Sequence, residues 1–179
     1  MTPTNSSIPS ARNALAQLMR DASTHDWAVL ALGEEASKVA RQTAGEQALV
    51  WGYASIARQC LRHTPVSDGD VEQAIAVVED FIMPLARPWP RPVVASTLAC
   101  ISPPLRLLLP HLGSGVAEVT GWRLYHTDAV ETLFNRFADI AMGGPARGLD
   151  LSAYAVSSLI VVRECLHHWG MQTLALPAD

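Results

Sequence analysis

Two pairs of cysteine and histidine have the residue types and the spacing of a metal site. Cys60 and His63 end one apolar segment, and Cys165 and His168 end another. Residues three apart share one face of a helix, so the two pairs together could form a tetrahedral zinc site. Cysteine is also a common core residue, and histidine interacts well with the carbonyls at a helix C-terminus. We therefore interpret both pairs as packing and capping groups and predict no metal.

Two further motifs imitate metal sites. Glu164 and His167 form one Glu-x-x-His pair, whereas a di-iron bundle needs two. The acidic run from Asp68 places Glu79 at position 12 of a calcium loop, but Gln73 stands at position 6, where the turn requires glycine. The sequence also contains no GxxxxGK[ST] phosphate loop and no GxSxG nucleophile motif. We therefore predict no catalytic residue and no cofactor.

A proline-rich segment carries the candidate partner-binding residues. Arg87, Trp89 and Arg91 alternate with prolines, which cannot continue a helix. Tryptophan and arginine are enriched at the energetic centres of protein interfaces, which favours an exposed binding segment. The alternative is that the Trp89 ring packs back on the core and fixes the segment, and the sequence leaves both interpretations open.

The elements that would position these groups have the patterns of helices. Apolar residues recur at helical spacing in four segments, 11–19, 71–83, 127–141 and 151–169. Thr43 and Glu46 have the spacing of a capping box, which predicts a long core helix over 44–62. Ser67 and Asp70 form a second capping pair ahead of the segment that begins at residue 71.

Less regular segments complete the predicted fold. Residues 24–32, 34–41 and 93–101 are interpreted as short or buried helices, and residues 116–126 as either helix or extended chain. No segment shows the sustained alternation between hairpin turns that is typical of strands. The sequence therefore predicts an all-α protein, a single-domain orthogonal or irregular helical bundle of about eight helices.

The predicted domain organisation is simple. Residues 1–9 form a flexible N-terminal tail, residues 10–170 form the single helical domain, and residues 171–179 form a C-terminal tail. Four prolines between residues 84 and 92 predict an extended crossover inside this domain.

The composition of the 179-residue chain excludes several classes of protein. Hydrophobic residues make up 49% and charged residues 17%, which supplies a large core and excludes compositional disorder. The net charge of −4 argues against a nucleic-acid surface. Prolines and Arg106 interrupt the most apolar stretch, 93–112, so we expect no membrane span. Three cysteines and no signal layout indicate a cytoplasmic protein.

Two segments resemble an uncharacterised family of small bacterial all-helical proteins without known activity. The family has an Ala-Val-Trp-Trp helix with a cysteine and an Ala-Ala-Glu-x-Trp helix with proline and arginine. The matching residues here are Trp51, Cys60, Phe81, Pro84 and Arg87. The resemblance implies a non-enzymatic accessory protein.

Two functions follow from these observations. The first is a protein-interaction module, namely an adaptor, chaperone or immunity-type accessory protein of a bacterial multi-gene system, with a protein partner or a second copy of itself. The alternative is a small-molecule-binding or enzymatic helical bundle with a pocket between its helices.

Overall fold

The structure, a computed structural model, describes residues 10–21, 26–41, 45–86, 96–149 and 152–178. Its elements in chain order are α1 (Ala11–Asp21), β1 (Asp26–Leu32), β2 (Ser37–Arg41), β3 (Gly45–Leu49), α2 (Tyr53–Cys60), α3 (Asp68–Ala86), β4 (Ser96–Ile101), a 3-10 helix (Pro104–His111), β5 (Ala117–Val119), β6 (Trp122–His126), α4 (Thr127–Ala141), α5 (Ala153–Trp169) and β7 (Thr173–Pro177).

The strands form one mixed sheet in the order β3-β2-β1-β4-β7-β6-β5. The three central strands, β1, β4 and β7, are parallel. Antiparallel strands extend the sheet on both sides, β2 and β3 next to β1, and β6 and β5 next to β7. Strands from both sides of the predicted crossover therefore share one sheet.

The prediction of an all-α bundle is wrong because the central strands are buried on both faces. Every residue from Trp27 to Leu32 in β1 is at most 1% exposed. A strand of this kind has a continuous apolar sequence, which periodicity does not distinguish from a buried helical segment. Residues predicted as helices over 24–32, 34–41 and 93–101 instead contain β1, β2 and β4, and β5 and β6 make 116–126 an extended hairpin.

The predicted core helix over 44–62 is also wrong, since this segment contains β3 and the short helix α2. Glu46 caps a different helix. Its carboxylate accepts a hydrogen bond from the backbone N–H of Arg12 at 2.8 Å and one from the Ser10 hydroxyl at 3.2 Å. The bond from Arg12 contributes most to lowering the pKa of Glu46. The carboxylate therefore supplies a hydrogen-bond acceptor to the first turn of α1, more than 30 residues away in sequence. It does not cap a helix that begins near Glu46.

Helical periodicity correctly predicts α1, α3, α4 and α5. The Ser67–Asp70 capping pair is confirmed, because the N–H of Asp70 donates to Ser67 Oγ at 3.3 Å and the N–H of Ser67 donates to Asp70 Oδ2 at 3.2 Å. The last helix, predicted to end at residue 169, does end at Trp169 and is followed by Gly170, whose φ of 68° suits glycine.

The structure differs from two of the predicted segment boundaries. α3 continues through Pro84 to Ala86, and the rest of the crossover lies outside the described residues. The tail 1–9 lies outside them as well, whereas the segment predicted as a tail over 171–179 contains the internal strand β7. No helix within the described ranges is long and apolar enough to cross a membrane.

The two faces of the sheet are covered unequally. One face carries the main core, to which α2, α3, α4, α5 and the 3-10 helix contribute. α1 packs on the other face, where Leu15 and Leu18 share an apolar cluster with Trp27 and Val29 of β1. α5 packs against all four other helices of the main face, and its residues are buried from Ala155 to Val162. α5, rather than segment 44–62, is the central helix.

The turn after β1 fits closely against the start of α2. The backbone N–H groups of Tyr53 and Ala54 each donate to a turn carbonyl, of Gly33 and Glu34 respectively, at 3.0 Å. The turn thus supplies acceptors that the first turn of a helix otherwise lacks. A Cβ atom on Gly52 would lie 2.2 Å from the Gly33 carbonyl oxygen, so this approach requires glycine.

We expect Gly52→Ala to lower the free energy of unfolding by about 3 kcal/mol, because the added methyl group must push apart two backbone segments. Urea unfolding measures the change. Gly69→Ala is the matched control: a methyl group on this glycine, in the first turn of α3, would meet no neighbouring segment within 4 Å. Alanine there should leave stability unchanged or raise it by up to about 1 kcal/mol. Equal effects of the two substitutions would contradict the close approach at Gly52.

Asp70 fixes the connection between α2 and α3. Its buried carboxylate accepts hydrogen bonds from the backbone N–H groups of His63 at 3.0 Å and Ser67 at 3.2 Å, and contacts His63 Nδ1 at 2.9 Å. Burial by itself raises the pKa of Asp70, but these hydrogen bonds favour the ionised form and together hold the pKa well below its usual range.

We expect Asp70→Asn to lower the free energy of unfolding by about 2 kcal/mol near neutral pH, because the amide loses charge-assisted hydrogen bonds. The folded-state pKa is lowered, so this stabilisation is present above the ordinary aspartate pKa of about 3.9 and is lost as the pH falls below it. Urea unfolding at a series of pH values should show wild type and variant converging in acid. A difference that stays constant with pH would argue against an ionised Asp70.

Candidate ligand-binding site

A cavity opens at the carboxyl ends of two central strands. β4 and β7 are parallel neighbours, so both end at the same edge of the sheet, and the cavity includes Ile101 and Pro177 from these ends. Its volume is about 210 Å³. This is the edge at which open α/β sheets usually bind their ligands. The described residues that line it are Cys100, Ile101, Ser102, Pro103, Leu105, Arg106, Leu109, Leu176 and Pro177.

Proline residues shape one wall of this cavity. Pro103 and Pro104 follow β4 closely, and the 3-10 helix begins at Pro104. The fixed φ of proline favours a sharp departure from the strand into a helical turn. Ser102, which is buried, donates a hydrogen bond from its hydroxyl to Ser158 Oγ on α5 at 3.3 Å. The turn is therefore anchored to the central helix.

Arg106 supplies the positive charge of the cavity lining. Its side chain is exposed, and it makes no hydrogen bond or ion pair with another described residue. A guanidinium group binds phosphate or carboxylate through two parallel hydrogen bonds. The remaining walls are mostly apolar, so within this lining the guanidinium is the group that can bind an anion. The arrangement can bind one end of an anionic molecule.

Cys100 reaches the cavity from the end of β4 but is not suited to nucleophilic chemistry. The residue is fully buried, and this burial raises the pKa of its thiol far above the usual range. The thiol therefore stays protonated near neutral pH, whereas the thiolate is the nucleophile. We interpret Cys100 as part of the apolar wall.

The structure does not bring the four zinc candidates together. Cys60 and Cys165 are both fully buried in the main core, and burial is the largest cause of the raised pKa of each thiol. His63 is exposed and contacts Asp70. His168 lies in a separate group of potential ligands that includes neither cysteine.

The partner-binding candidates cannot be placed in this fold. Arg87, Trp89 and Arg91 lie outside the described residues. Their interpretation as an exposed binding segment stays a prediction.

A network of charged side chains connects α4 and α5 near the end of α5. Arg163 donates to Glu131 at 3.1 Å and to Glu164 at 2.5 Å, and its guanidinium carbon lies 4.3 Å from the centre of the Phe134 ring. His167 Nε2 is 2.7 Å from Glu131 Oε1. Two carboxylates thus pair with a single guanidinium group, and one of them, that of Glu131, also contacts a histidine.

The same network extends to α3 through His168. Its Nε2 atom lies 3.0 Å from Glu79 Oε1 on α3 and 3.6 Å from Glu164 Oε2 on its own helix. Glu79, Glu164 and His168 each have one potential ligand atom within 4.8 Å of the others. This group combines residue types that ligate metal ions.

The cavity could not be predicted from the sequence for an identifiable reason. In the sequence Arg106 stands out only as a charge that interrupts an apolar stretch. A helical interpretation of residues 93–101 hides the carboxyl end of a strand at Ile101. The one available signal was the pair of prolines that follows an apolar run of strand length.

Solved structures of known proteins share this architecture, although no protein-family model and no curated protein matches the sequence. A Ppx/GppA family member from Aquifex aeolicus aligns with a TM-score of 0.65 and 11% identity over 93% of this chain and 57% of its own. An exopolyphosphatase from Cytophaga hutchinsonii aligns with a TM-score of 0.61 and 12% identity over 91% of this chain and 56% of its own. The chain thus spans a little over half the length of these proteins.

These similarities correct two predictions. The resemblance to an uncharacterised all-helical family is wrong, because the structural neighbours are proteins of the Ppx/GppA kind with a mixed sheet in common with this chain. The prediction of a non-enzymatic interaction module is wrong as well, since those neighbours are enzymes and favour the enzymatic or ligand-binding alternative. At this level of identity the comparison concerns architecture: the chain has a mixed α/β fold shared with proteins of the Ppx/GppA family.

Proposed function

We propose that this chain is a phosphate-binding domain of an enzyme that acts on phosphate-containing substrates. The observation that carries the proposal is the cavity at the carboxyl ends of β4 and β7, with the guanidinium of Arg106 in its lining. The solved structures with a similar fold include an exopolyphosphatase and a Ppx/GppA phosphatase, which supports phosphate as the recognised group.

The chemistry of the cavity suits a phosphate or a terminal group of a phosphate chain. Arg106 can donate two hydrogen bonds to phosphate oxygens, and the turn after β4 belongs to the same lining. Phosphoryl transfer depends mainly on positioning the phosphate and neutralising its charge. The proposal assigns these two roles to this chain.

The overall charge favours a local interaction over general attraction of polyanions. The chain carries a net charge of −4, so a phosphate chain gains little from the average field of the protein. Phosphate binding must then depend on individual cations such as Arg106, and removal of that charge should lower the affinity strongly.

We also propose that the domain works in the cytoplasm. The three cysteines are free in the structure, and all are buried. Reduced thiols are usual in a reducing compartment, which supports this location.

We expect Arg106→Gln to weaken binding of inorganic pyrophosphate and short polyphosphate by about 10- to 100-fold, the equivalent of losing a charge-assisted pair of hydrogen bonds. Isothermal titration calorimetry of wild type and variant at the same salt concentration measures the change. Arg62→Gln is the matched control, because Arg62 is an exposed arginine outside the cavity lining.

The outcomes separate specific from general binding. Loss of affinity in Arg106→Gln with wild-type affinity in Arg62→Gln supports the cavity as the site. Equal losses would indicate non-specific attraction, and no binding by the wild type would contradict the proposal. A colorimetric assay of phosphate release from polyphosphate, run in parallel, distinguishes binding alone from hydrolysis.

A further inference from the structure

We propose that Glu79, Glu164 and His168 form a site for a divalent first-row transition-metal ion, with Zn²⁺ as the test case. The site lies between α3 and α5, close to the end of α5. The chain leaves α5 there through Gly170 and enters β7, so the site and the phosphate cavity lie at opposite ends of that strand. The two sites therefore share no residue.

The distances between the three side chains suit coordination of a small cation. His168 Nε2 lies 3.0 Å from Glu79 Oε1 and 3.6 Å from Glu164 Oε2. Ligand atoms at about 2.0–2.1 Å from a tetrahedral zinc ion lie about 3.3 Å from one another. These two distances lie on either side of this value, and all three ligand atoms lie within 4.8 Å of one another, so a small rotation of the side chains would place them around one ion.

The carboxylate of Glu164 provides a second indication of a ligand. Glu164 is only 3% exposed, although charged residues are seldom buried unless they are fully paired. Arg163 donates to its Oε1, whereas no described residue donates a hydrogen bond to its Oε2. Oε2 faces His168 at 3.6 Å, which is longer than a hydrogen bond. A cation at this position would give the buried carboxylate a second charged partner beside Arg163.

The charge of the surrounding network also matches a divalent ion. The network contains three carboxylates and one guanidinium: Glu131 and Glu164 pair with Arg163, whereas Glu79 contacts His168. His168 must be neutral to ligate a metal, and the three carboxylates and one guanidinium by themselves then carry two excess negative charges. One divalent ion would neutralise them, and a mixed imidazole and carboxylate set is suited to zinc and its neighbours.

The helices hold the ligands in place before any ion binds. Glu164 and His168 are one turn apart on the same face of α5. The indole Nε1 of Trp169 donates to the carbonyl oxygen of Ile82 at 3.2 Å, which fixes α5 to α3 one turn beyond Glu79. Glu79 and His168 are 38% and 30% exposed, so an ion and a completing water molecule can reach the site from solvent.

Zinc binding to the untagged protein tests the proposal. After treatment with a chelator and its removal, equilibrium dialysis against Zn²⁺ with elemental analysis should give one ion per chain. Glu79→Gln and His168→Gln should each weaken this binding by at least about tenfold, since even outer-shell substitutions at metal sites cost 10–100-fold. Circular dichroism checks that each variant is folded. If His168→Gln does not fold, the Glu79→Gln variant decides the question, because Glu79 is partly exposed.

His167→Gln is the matched control. His167 is the preceding residue on α5 and pairs with Glu131, but it is not one of the three proposed ligands. Its substitution should leave zinc affinity unchanged. Titration with Co²⁺ adds a spectroscopic signature, because cysteine ligation would produce a thiolate charge-transfer band and the proposed nitrogen and oxygen ligands would not. Absence of stoichiometric binding, equal binding by all three variants, or a thiolate band would each overturn the proposal.

Discussion

The parallel pairing of β1, β4 and β7 constrains the rest of the structure. Parallel neighbours cannot be joined by a tight turn, so each return crosses a face of the sheet through helices. The connection from β1 to β4 includes α2 and α3, and the connection from β4 to β7 includes α4 and α5. These crossovers build the main core, and the common direction of the strands collects their carboxyl ends at one edge, where the cavity lies.

α5 links the core to both candidate sites. Its middle is buried on every side, because α2, α3, α4, the 3-10 helix and the sheet surround it. Ser158 on this helix accepts the hydrogen bond from Ser102 that anchors the turn at the phosphate cavity. Its last turns carry the charges that pair with α3 and α4. A buried charge such as Glu164 is tolerable only among such partners.

Elements whose pattern is local could be predicted from the amino-acid sequence. α1, α3, α4 and α5 each have an apolar stripe or run of helical length, and some have a recognisable start or stop, such as Asp70 or Gly170. The sequence also singles out the three proposed metal ligands, although in three separate groupings: Glu79 in a calcium loop, Glu164 in a Glu-x-x-His pair, and His168 in a zinc pair. Residue type and local spacing carry that information, but they do not identify partners.

The strands and the sites depend on contacts that no local pattern records. β1 and β4 are apolar because both of their faces are covered, and what covers them is remote in sequence. Glu46 shows the same limit, since the helix that it caps begins 35 residues earlier. The cavity and the Glu79–Glu164–His168 group likewise combine side chains from separate elements. These positions are set by contacts between segments that are distant in sequence. The type and local spacing of a side chain do not identify the distant segment that it will contact.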